Sequence, residues 1–488
     1  MTGRRRLAAL FVAPLAVGLV VLVVLALTTN KLSLAASLID PSIVQALLVL
    51  EGLFLVWRVI AVVSSMIDGA FPRFRLVDGA GLAVILALVI LPQAGLGVVT
   101  YAVQGTEAQV FDPVQFPSAE PEASTAPATE LPGSSLFPDV SPSVAPSASG
   151  LPPRVTVLLL GVDSGVGRST ASTDTMIVAS LDPVAKTVSM VSVPRDMVNA
   201  PLPKGGTFSA KINGLVAYVR WHPDQFPGYN GRGQAVLAYS LGKILGVHID
   251  YYAQVDLGGF VQTVNAVGGV DVSVDHSLCD ARYKEYGYTG YAIGAGRHHM
   301  NGNAALAYAR IRKSAGESDF TRAARQQQVV VALKDKVVRG GFLQDPLGLL
   351  QAIGQTVQTN IPPSVVRELA PLASDISSQD IYKMVVGHPL VRPGFDQRGS
   401  IQLPDFKKIA ALGAAMFTPV GTRPADKYQS KPPTSTAKGP AQSAPSCSAP
   451  SKPKPKPQPT PKPPKPSTKP KPTPTPTEPP PSVEPSPS

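Results

Sequence analysis

Short apolar runs alternate with amphipathic stretches between residues 154 and 338, and this alternation predicts strands and helices in turn. The runs at 155–160, 175–181 and 188–193 are continuous and rich in valine, as is typical of buried strands. Further strands are predicted at 253–257 and 270–274, and helices at 237–245, 260–267, 303–309 and 321–338. Because strands and helices alternate, we expect an α/β fold, a single α-β-α layered domain with a central mixed sheet.

Three longer apolar runs precede this region, at residues 7–28, 43–67 and 80–103. Each is about 20 residues or longer, the length of a helix that crosses a bilayer. The arginines at 4–6, 73 and 75 fall on one side, so the positive-inside rule places the N-terminus in the cytoplasm. The first run alone could be a signal peptide, but the two that follow favour a retained anchor. We therefore expect a multi-pass protein of the cell membrane, anchored by residues 1–103, with an extracellular domain.

Two segments are too rich in proline to build a core. Residues 104–153 are dominated by proline, serine and alanine, and residues 422–488 by Lys-Pro and Thr-Pro repeats. The first is interpreted as a linker, and residues 154–421 remain as one globular domain. The tail is expected to be disordered; it either threads an anionic wall as an extended cation or is a plain disordered end.

The charge balance indicates anionic partners. The net charge is +11 and the pI is near 9.5, which would also suit a nucleic-acid-binding protein. Because the basic tail is predicted to lie outside the membrane, wall polymers or lipid head groups fit better than nucleic acid. Cys279 and Cys447 leave a disulfide open without requiring one, and the histidines offer no zinc spacing.

Two aspartates stand at the ends of neighbouring predicted strands. Asp163 follows the first strand, and Asp174 opens the second. If these strands are antiparallel neighbours, the two carboxylates meet at one edge of the sheet. Together with phosphate oxygens they would suit Mg²⁺, which takes few protein ligands. Taken alone, two turn aspartates that cap strand ends would explain the pattern better.

The segment 309–328 gathers several charged residues in a short stretch. If its second half is helical, Asp319, Arg322 and Gln326 lie on one face. If its first half is extended, Arg310 and Arg312 project to the same side. Converging guanidinium groups suit a phosphate or pyrophosphate, although a solvated salt-bridge face is the better explanation of a charge run alone.

Two further cations stand at element ends. Arg195 follows the third predicted strand, and Lys211 stands at the start of the next element. Phosphoryl transfer needs positioning and charge neutralisation more than covalent chemistry by side chains. Arginines beside a metal, with no histidine base or serine nucleophile in evidence, fit that demand.

In this order, these segments resemble the LytR-CpsA-Psr family, the extracytoplasmic phosphotransferases of bacterial cell-wall assembly. The resemblance covers 154 to about 338 and fades towards 418. It implies a transferase that moves a glycopolymer from a polyprenyl-pyrophosphate carrier to a peptidoglycan hydroxyl, forming a phosphodiester, with pyrophosphate hydrolysis as a side activity. The motifs that carry it are Gly161-Val-Asp163, Asp174-Thr-Met, Ser192-Val-Pro-Arg195-Asp196, Lys211-Ile-Asn, Val267-Gly-Gly-Val270, the run from Gly302 to Arg312, and Asp319-Phe-Thr-Arg322-Ala-Ala-Arg325-Gln326.

The resemblance also implies roles for the individual residues. Asp163 and Asp174 would hold Mg²⁺, and an apolar tunnel between core helices would take the lipid. Asp319 would orient the arginines, with a base role as the alternative. The catalytic set would be Asp163, Asp174, Arg195, Arg310, Arg312 and Asp319, and the pyrophosphate would be bound by Arg195, Lys211, Arg310, Arg312, Arg322 and Gln326.

One departure from the family pattern motivates an alternative function. The family usually has an arginine two residues before the position of Asp174, where this chain has Ser172. Arg168 lies four positions earlier, in a loop that could swing it into place. Without that arginine the pyrophosphate would be held less firmly, so a non-catalytic scaffold that binds carrier lipid or wall polymer is the alternative. A transcriptional regulator is disfavoured by the expected topology.

Overall fold

A computed structural model of the chain describes residues 36, 40–67, 153–164, 172–341, 349, 352–354, 356–424, 441–445 and 447. The predicted spans at 7–28 and 80–103, almost all of the linker and most of the tail lie outside these residues. The span at 43–67 falls within a helix, α1 (Pro41–Ile67). Within the described part of the chain, no helix is identified as long and apolar enough to cross a membrane. The three-span anchor therefore stays a prediction.

The remaining described elements begin at Val155. The helices are α2 (Leu215–Trp221), α3 (Gly233–Leu245), α4 (Leu257–Ala266), α5 (Gly302–Arg310), α6 (Asp319–Val338), α7 (Pro363–Asp375) and α8 (Phe406–Met416). The strands are β1 (Val155–Asp163), β2 (Ser172–Asp182), β3 (Thr187–Ser192), β4 (Tyr251–Asp256), β5 (Val270–Val274), β6 (Leu278–Asp280), β7 (Tyr291–Ile293), β8 (Gly296–Met300), β9 (Val357–Thr359), β10 (Ile381–Val385), β11 (Val391–Asp396) and β12 (Gly399–Pro404).

Six strands form a central mixed sheet in the order β10-β3-β2-β1-β4-β9. Strand β1 pairs antiparallel with β2 and parallel with β4. The antiparallel pairing of β1 and β2 is the condition under which Asp163 and Asp174 were expected to meet. Every strand and helix expected between 154 and 338 is present, with ends that differ by up to four residues.

Helices cover both faces of this sheet, because successive residues of a strand point to opposite sides. On one face, Leu158 and Leu160 of β1 belong to a buried cluster that includes Leu241 of α3. On the other face, Ile177 of β2 packs in a cluster with Val331 of α6. The α-β-α layering expected from the sequence is therefore confirmed.

Two short antiparallel strand pairs, β5 with β8 and β6 with β7, share a second buried cluster with α5. A glycine is required where this part begins: Gly269 has a positive φ of 82°, and a Cβ there would lie 2.6 Å from His299 Nε2. Cys279 of β6 forms a disulfide with Cys447, which settles the pairing that the sequence left open. Nearby, Gln442 N donates to Ala295 O across 2.8 Å, so Gln442 lies beside the connection between β7 and β8.

Candidate active site

One cavity of about 640 Å³ lies between the sheet and helices α4, α5 and α6. The residues that line the cavity fall into a polar group and an apolar group. The polar end carries Asp163, Asp174, Arg195, Arg310, Arg312, Arg322 and Gln326. The apolar end carries Leu159, Ile177, Leu306, Val330 and Leu333, among other apolar residues. Arg322 at the polar end and Leu333 at the apolar end are about 16 Å apart along α6, at 1.5 Å per residue. The cavity is therefore long enough to keep its polar end apart from its apolar end.

A β-bulge places Asp174. In the β1–β2 ladder Gly161 pairs with Thr175 and Val162 pairs with Thr173, so Asp174 is the extra residue. A bulge re-aims the side chain of the inserted residue, and here the carboxylate lines the cavity. Gly161 is needed opposite the bulge, because a Cβ there would lie 2.9 Å from Thr175 Cβ. This close approach explains the glycine of the Gly161-Val-Asp163 motif.

Arg310, the last residue of α5, connects Asp163 with a carboxylate that the sequence did not indicate. Its Nη2 lies 3.3 Å from Asp163 Oδ2, and its Nε lies 3.1 Å from Glu285 Oε2. Arg310 and Asp163 are each 18% exposed, so the pair is open towards the cavity but shielded from bulk water. The guanidinium is therefore fixed from both sides before any ligand arrives.

Arg195 is fixed in the same way by Asp174. Its Nη1 donates to Asp174 Oδ2 across 2.9 Å. Burial alone would lower the pKa of the Arg195 guanidinium, but the attraction and hydrogen bond of Asp174, followed by Asp319 and Asp196, raise it above its ordinary value. Arg195 consequently stays charged. Its Nε is buried and has no hydrogen-bond partner among the described residues.

The N-terminus of α6 carries the next part of the polar end. Ser318 caps the helix in a capping box with Thr321, which fixes the first turn. Arg322 Nη2 lies 3.1 Å from Asp319 Oδ1, and Arg312 Nη1 lies 3.9 Å from the same oxygen. Burial, followed by repulsion from Arg195, lowers the pKa of Arg322 to about 10. Arg322 Nε is also buried without a hydrogen-bond partner in the described structure, as Arg195 Nε is.

Arg325, the other arginine of the α6 motif, has a structural role instead. It is 7% exposed and donates to Tyr308 O across 2.6 Å and to Ile311 O across 2.5 Å. Its Nη2 also pairs at 2.8 Å with Glu317, whose side chain is 1% exposed. These bonds hold the loop between α5 and α6 and so place Arg312 at the cavity.

Asp280, at the end of β6, holds the same loop from its other side. Its Oδ2 accepts from the backbone N–H groups of Arg312 at 3.2 Å and Lys313 at 3.1 Å. Its Oδ1 accepts from Arg282 N at 3.1 Å. The residue is 4% exposed, so three backbone hydrogen bonds compensate its buried charge. Two separate segments are thereby brought together at the cavity.

Most of the site residues expected from the sequence line this one cavity, but three expectations need qualification. Lys211 is not among the lining residues; its Nζ donates to Asp196 Oδ1 across 2.8 Å. Asp319 is also outside the lining, where it pairs with the arginines that it was expected to orient. The condition of an extended segment at Arg310 and Arg312 is not met, because α5 continues to Arg310; both side chains nevertheless reach the cavity, from a helix end and the following loop.

The sequence reading missed Glu285, Asp280 and the cations Arg282, Lys284 and Lys313, all of which line the cavity. A weak signal was available. Tyr283 stands between the charged residues Arg282 and Lys284, which indicates a segment with one face towards a cavity or solvent. Nothing in the sequence places that segment beside Arg310, because the contact joins parts of the chain that are not neighbours.

The two aspartates fit a magnesium ion that shares its coordination with a substrate. Each carboxylate lines the cavity, and each pairs with an arginine through Oδ2. Across the described ranges, no group of three or more His, Cys, Asp or Glu forms a complete metal cage. Mg²⁺ commonly binds through one or two carboxylates and completes its shell with phosphate oxygens and water. The donor set therefore fits Mg²⁺, and no cage for zinc is found among these residues.

Comparisons with known proteins identify the family. The sequence profile described as the LytR_cpsA_psr family matches residues 144–389. A relative from Bacillus mycoides, named polyisoprenyl-teichoic acid–peptidoglycan teichoic acid transferase TagU, is 33% identical over 207 residues, which cover 42% of this chain and 60% of the relative. The protein of the same name from Bacillus cereus (strain AH820) is 31% identical over 236 residues, 48% of this chain and 70% of the relative.

Among solved structures, the crystal structure of B. subtilis TagV has a TM-score of 0.41 and 25% sequence identity, and covers 55% of this chain and 98% of that one. The family profile spans half of the chain, including every motif from Gly161 to Gln326. The chain belongs to the LytR_cpsA_psr family.

Proposed function

We propose that this chain is a magnesium-dependent phosphotransferase that attaches a glycopolymer from a polyprenyl-pyrophosphate carrier to peptidoglycan through a phosphodiester. The observation that carries the proposal is one continuous cavity, lined by described residues, with a cationic end and an apolar end. Such a cavity matches a substrate whose pyrophosphate is joined to a hydrocarbon chain. The relatives TagU carry a name that describes the same class of reaction on teichoic acid.

The polar end supplies the groups that a pyrophosphate needs. Arg195 and Arg322 each have a buried Nε–H group without a hydrogen-bond partner among the described residues, so each has a donor left for an anion. Burial and then repulsion from Arg195 lower the pKa of Arg322, and an anion between the two guanidinium groups would relieve the repulsion. Arg310, Arg312 and Gln326 line the same end. Lys211 is proposed to act indirectly, through Asp196, which also lies 3.8 Å from Arg195 Nε.

Asp163 and Asp174 would hold the magnesium ion. When bound, the ion would neutralise charge on the pyrophosphate oxygens and so stabilise the transition state. The two carboxylates orient Arg310 and Arg195 at the same time. Asp319 is proposed to orient Arg312 and Arg322, with which it pairs, rather than to take the proton.

In the proposed reaction, a hydroxyl oxygen of peptidoglycan attacks the phosphorus that bears the glycan. The new P–O bond forms as the bond from that phosphorus to the bridging oxygen breaks, and polyprenyl phosphate leaves with the electron pair. The hydroxyl proton is released to solvent. If water attacks in place of the hydroxyl, the same step hydrolyses the pyrophosphate, which accounts for a pyrophosphatase side activity.

The proposed location is the cell membrane, with the domain outside and residues 1–103 as a multi-pass anchor. The three apolar runs of the sequence and the distribution of arginines support this topology. A polyprenyl carrier resides in the bilayer, so an anchored domain would meet its substrate at the membrane surface. Wall polymers would then be nearby and nucleic acid would not.

A non-catalytic scaffold is the second candidate, favoured by one observation. Ser172 pairs with Asp163 in the β1–β2 ladder, so the position where the family usually has an arginine is adjacent to the proposed metal ligand. Serine supplies no positive charge there. Arg168, which could replace it, lies outside the described residues. A scaffold would bind the carrier lipid without converting it.

The two candidates are separated by incubating the full chain in vesicles with Mg²⁺, a polyprenyl-pyrophosphate glycan and peptidoglycan strands. The transferase predicts a ³¹P signal of a new phosphodiester on the strands and the release of polyprenyl phosphate. A scaffold predicts retention of intact lipid with neither product. The variant Ser172→Arg tests the departure directly: a large rise in turnover would show that the missing cation limits the native chain.

A further inference from the structure

Three cations lie at the outer edge of the cavity, beyond the polar end. Arg282, Lys284 and Lys313 line the cavity and have exposed side chains, and we call them the rim cluster. None of them has a carboxylate within ion-pair distance among the described residues, in contrast to Arg195, Arg310 and Arg322, which are each paired with at least one. Nothing in the pyrophosphate site described above uses these three charges.

The rim cluster is positioned by backbone contacts. Asp280 accepts hydrogen bonds from the N–H groups of Arg282 and Lys313, which come from two different segments. Tyr283 lies between Arg282 and Lys284 and is buried against Tyr288 and Tyr291, with ring centroids 6.2 Å apart in both pairs. With Tyr283 held inward, Arg282 and Lys284 are left exposed on the outer side. The backbone that carries these charges is therefore held in place.

The rim cluster is also connected to the proposed chemistry. Glu285, one residue after Lys284, pairs with Arg310 at 3.1 Å, and Arg310 pairs with Asp163. Lys313 directly follows Arg312, which lines the polar end. The cluster thus adjoins the proposed pyrophosphate site on its open side.

Exposure differs between individual residues of the cavity lining. At the apolar end Ile177 is 1% and Leu306 is 4% exposed, Arg310 at the polar end is 18% exposed, and the rim cluster is open to solvent. The lipid occupies the apolar end in the proposed function, so its phosphate departs towards that end. In phosphoryl transfer the attacking and leaving oxygens lie roughly in line. The acceptor hydroxyl must therefore enter from the opposite, open side, where the rim cluster lies.

We propose that Arg282, Lys284 and Lys313 form an acceptor subsite that binds the carboxylates of peptidoglycan stem peptides and thereby guides a glycan hydroxyl to the pyrophosphate. This inference rests on the proposed function and adds the residues that select the acceptor. Exposed ion pairs are individually weak, but a fixed cluster of like charges raises the local concentration of an anionic partner. The effect is expected in the KM of the acceptor and not in that of the donor.

The test uses the full chain in vesicles and compares the triple variant R282Q/K284Q/K313Q with a matched control, K204Q/R220Q/K407Q. The control removes the same number of positive charges from exposed positions outside the cavity. We expect the rim variant to raise the acceptor KM about tenfold, equivalent to about 1.4 kcal/mol, with donor KM and kcat unchanged. Raising the salt concentration should increase the acceptor KM of the native chain more steeply than that of the rim variant.

A second acceptor substrate tests the role of the stem-peptide carboxylates by themselves. Peptidoglycan strands whose carboxylates have been converted to amides should give the same, high KM with the native chain and with the rim variant. If the rim variant instead raises the donor KM, the cluster serves the glycopolymer and the proposal is wrong. An unchanged acceptor KM, or an equal loss in the control variant, would also overturn it.

Binding of peptidoglycan strands, measured without the lipid-linked donor, tests the subsite without relying on turnover. Soluble strands with free carboxylates should bind the native chain and the control more tightly than the rim variant, in a salt-dependent manner. If no transfer occurs with any chain but this difference is found, the proposed reaction fails while the subsite stands. If transfer occurs and strand binding is equal in all three chains, the reaction stands and the subsite is refuted.

Discussion

Arg310 and Asp163 are 147 positions apart in the chain, yet Arg310 Nη2 lies 3.3 Å from Asp163 Oδ2. The pair joins the C-terminal end of α5 to the end of β1 and so closes the polar end of the cavity. Arg310 would keep Glu285 as a partner if Asp163 lost its charge. The carboxylate can therefore be altered without leaving the guanidinium free.

The first prediction follows from this arrangement. Asp163→Asn keeps the size of the side chain and removes the charge of a proposed metal ligand. We expect transfer to fall about 100-fold or more, since loss of a preorganised charge at a reacting phosphate has an effect of this order. Phosphodiester formation measured against Mg²⁺ concentration is the readout. The control, Asp224→Asn, alters an exposed aspartate outside the cavity and should retain native activity. Native turnover in Asp163→Asn would rule out the metal assignment.

The second prediction concerns Arg322, whose pKa is lowered to about 10 by burial and by Arg195. Because the buried Arg322 and the half-buried Arg195 repel one another, a pyrophosphate analogue bound between them should stabilise the fold. At 100 times its Kd, methylene diphosphonate with Mg²⁺ should add about 2.7 kcal/mol to the free energy of unfolding.

In Arg322→Gln, the melting temperature without ligand should not fall, while the shift caused by the analogue should be lost. Differential scanning fluorimetry at pH 7 measures both quantities. Lys407→Gln, an exposed site outside the cavity, serves as the control and should keep the full shift. A variant that still responds fully to the analogue would show that Arg322 does not contact the anion.

The third prediction tests the apolar end. Val330 lines the cavity on α6, and Val330→Phe would fill space that the proposal assigns to the lipid. The KM for a long polyprenyl carrier should rise about tenfold, with a much smaller change for a carrier of two or three isoprene units. Val184→Phe, at a position that is 66% exposed, is the size-matched control. Equal effects on long and short carriers would place the lipid elsewhere.

The fourth prediction is a pH dependence of stability. Burial raises the pKa of Asp250 above 3.8, against the opposing hydrogen bond from Thr156 N and the nearby His248. A raised carboxyl pKa means that the folded protein binds the proton more tightly than the unfolded chain. This group therefore favours folding increasingly as pH falls through its folded pKa towards 3.8, and at pH 7 its charge costs stability.

Asp250→Asn keeps an oxygen that can accept from Thr156 N and removes the buried charge. The variant should unfold at a higher urea concentration than the native chain at pH 7, and the difference should shrink as pH approaches 4. Urea titrations at several pH values measure it. Lower stability of the variant at pH 7 would mean that the charged hydrogen bond to Thr156 outweighs the cost of burial.

The central sheet could be predicted because its strands are continuous apolar runs with clear ends. The runs at 155–160 and 188–193 correspond to β1 and β3. By contrast, β6, β7 and β9 have three residues each, too few for a periodic pattern to be recognised. Such strands depend on tertiary pairing, which a local pattern does not contain.

The residues of the candidate site could be predicted from the sequence, but their arrangement in space could be predicted less well. Asp163, Asp174, Arg195 and Arg310 do line one cavity. However, the bulge that aims Asp174 depends on the register between two strands, and one residue of register changes the face on which a side chain lies. The role of Asp280 was hidden for a similar reason, since its partners are backbone groups up to 33 positions away.

Asp280 holds its neighbours through amide N–H groups, which every residue except proline possesses. The side chains at 282, 312 and 313 can consequently change without loosening the hold on the backbone. The backbone shape of this edge of the cavity is therefore set independently of the charges on its side chains. Exchanging acidic, neutral or basic residues at 282 and 313 would thus be a direct way to redesign partner preference while the scaffold remains intact.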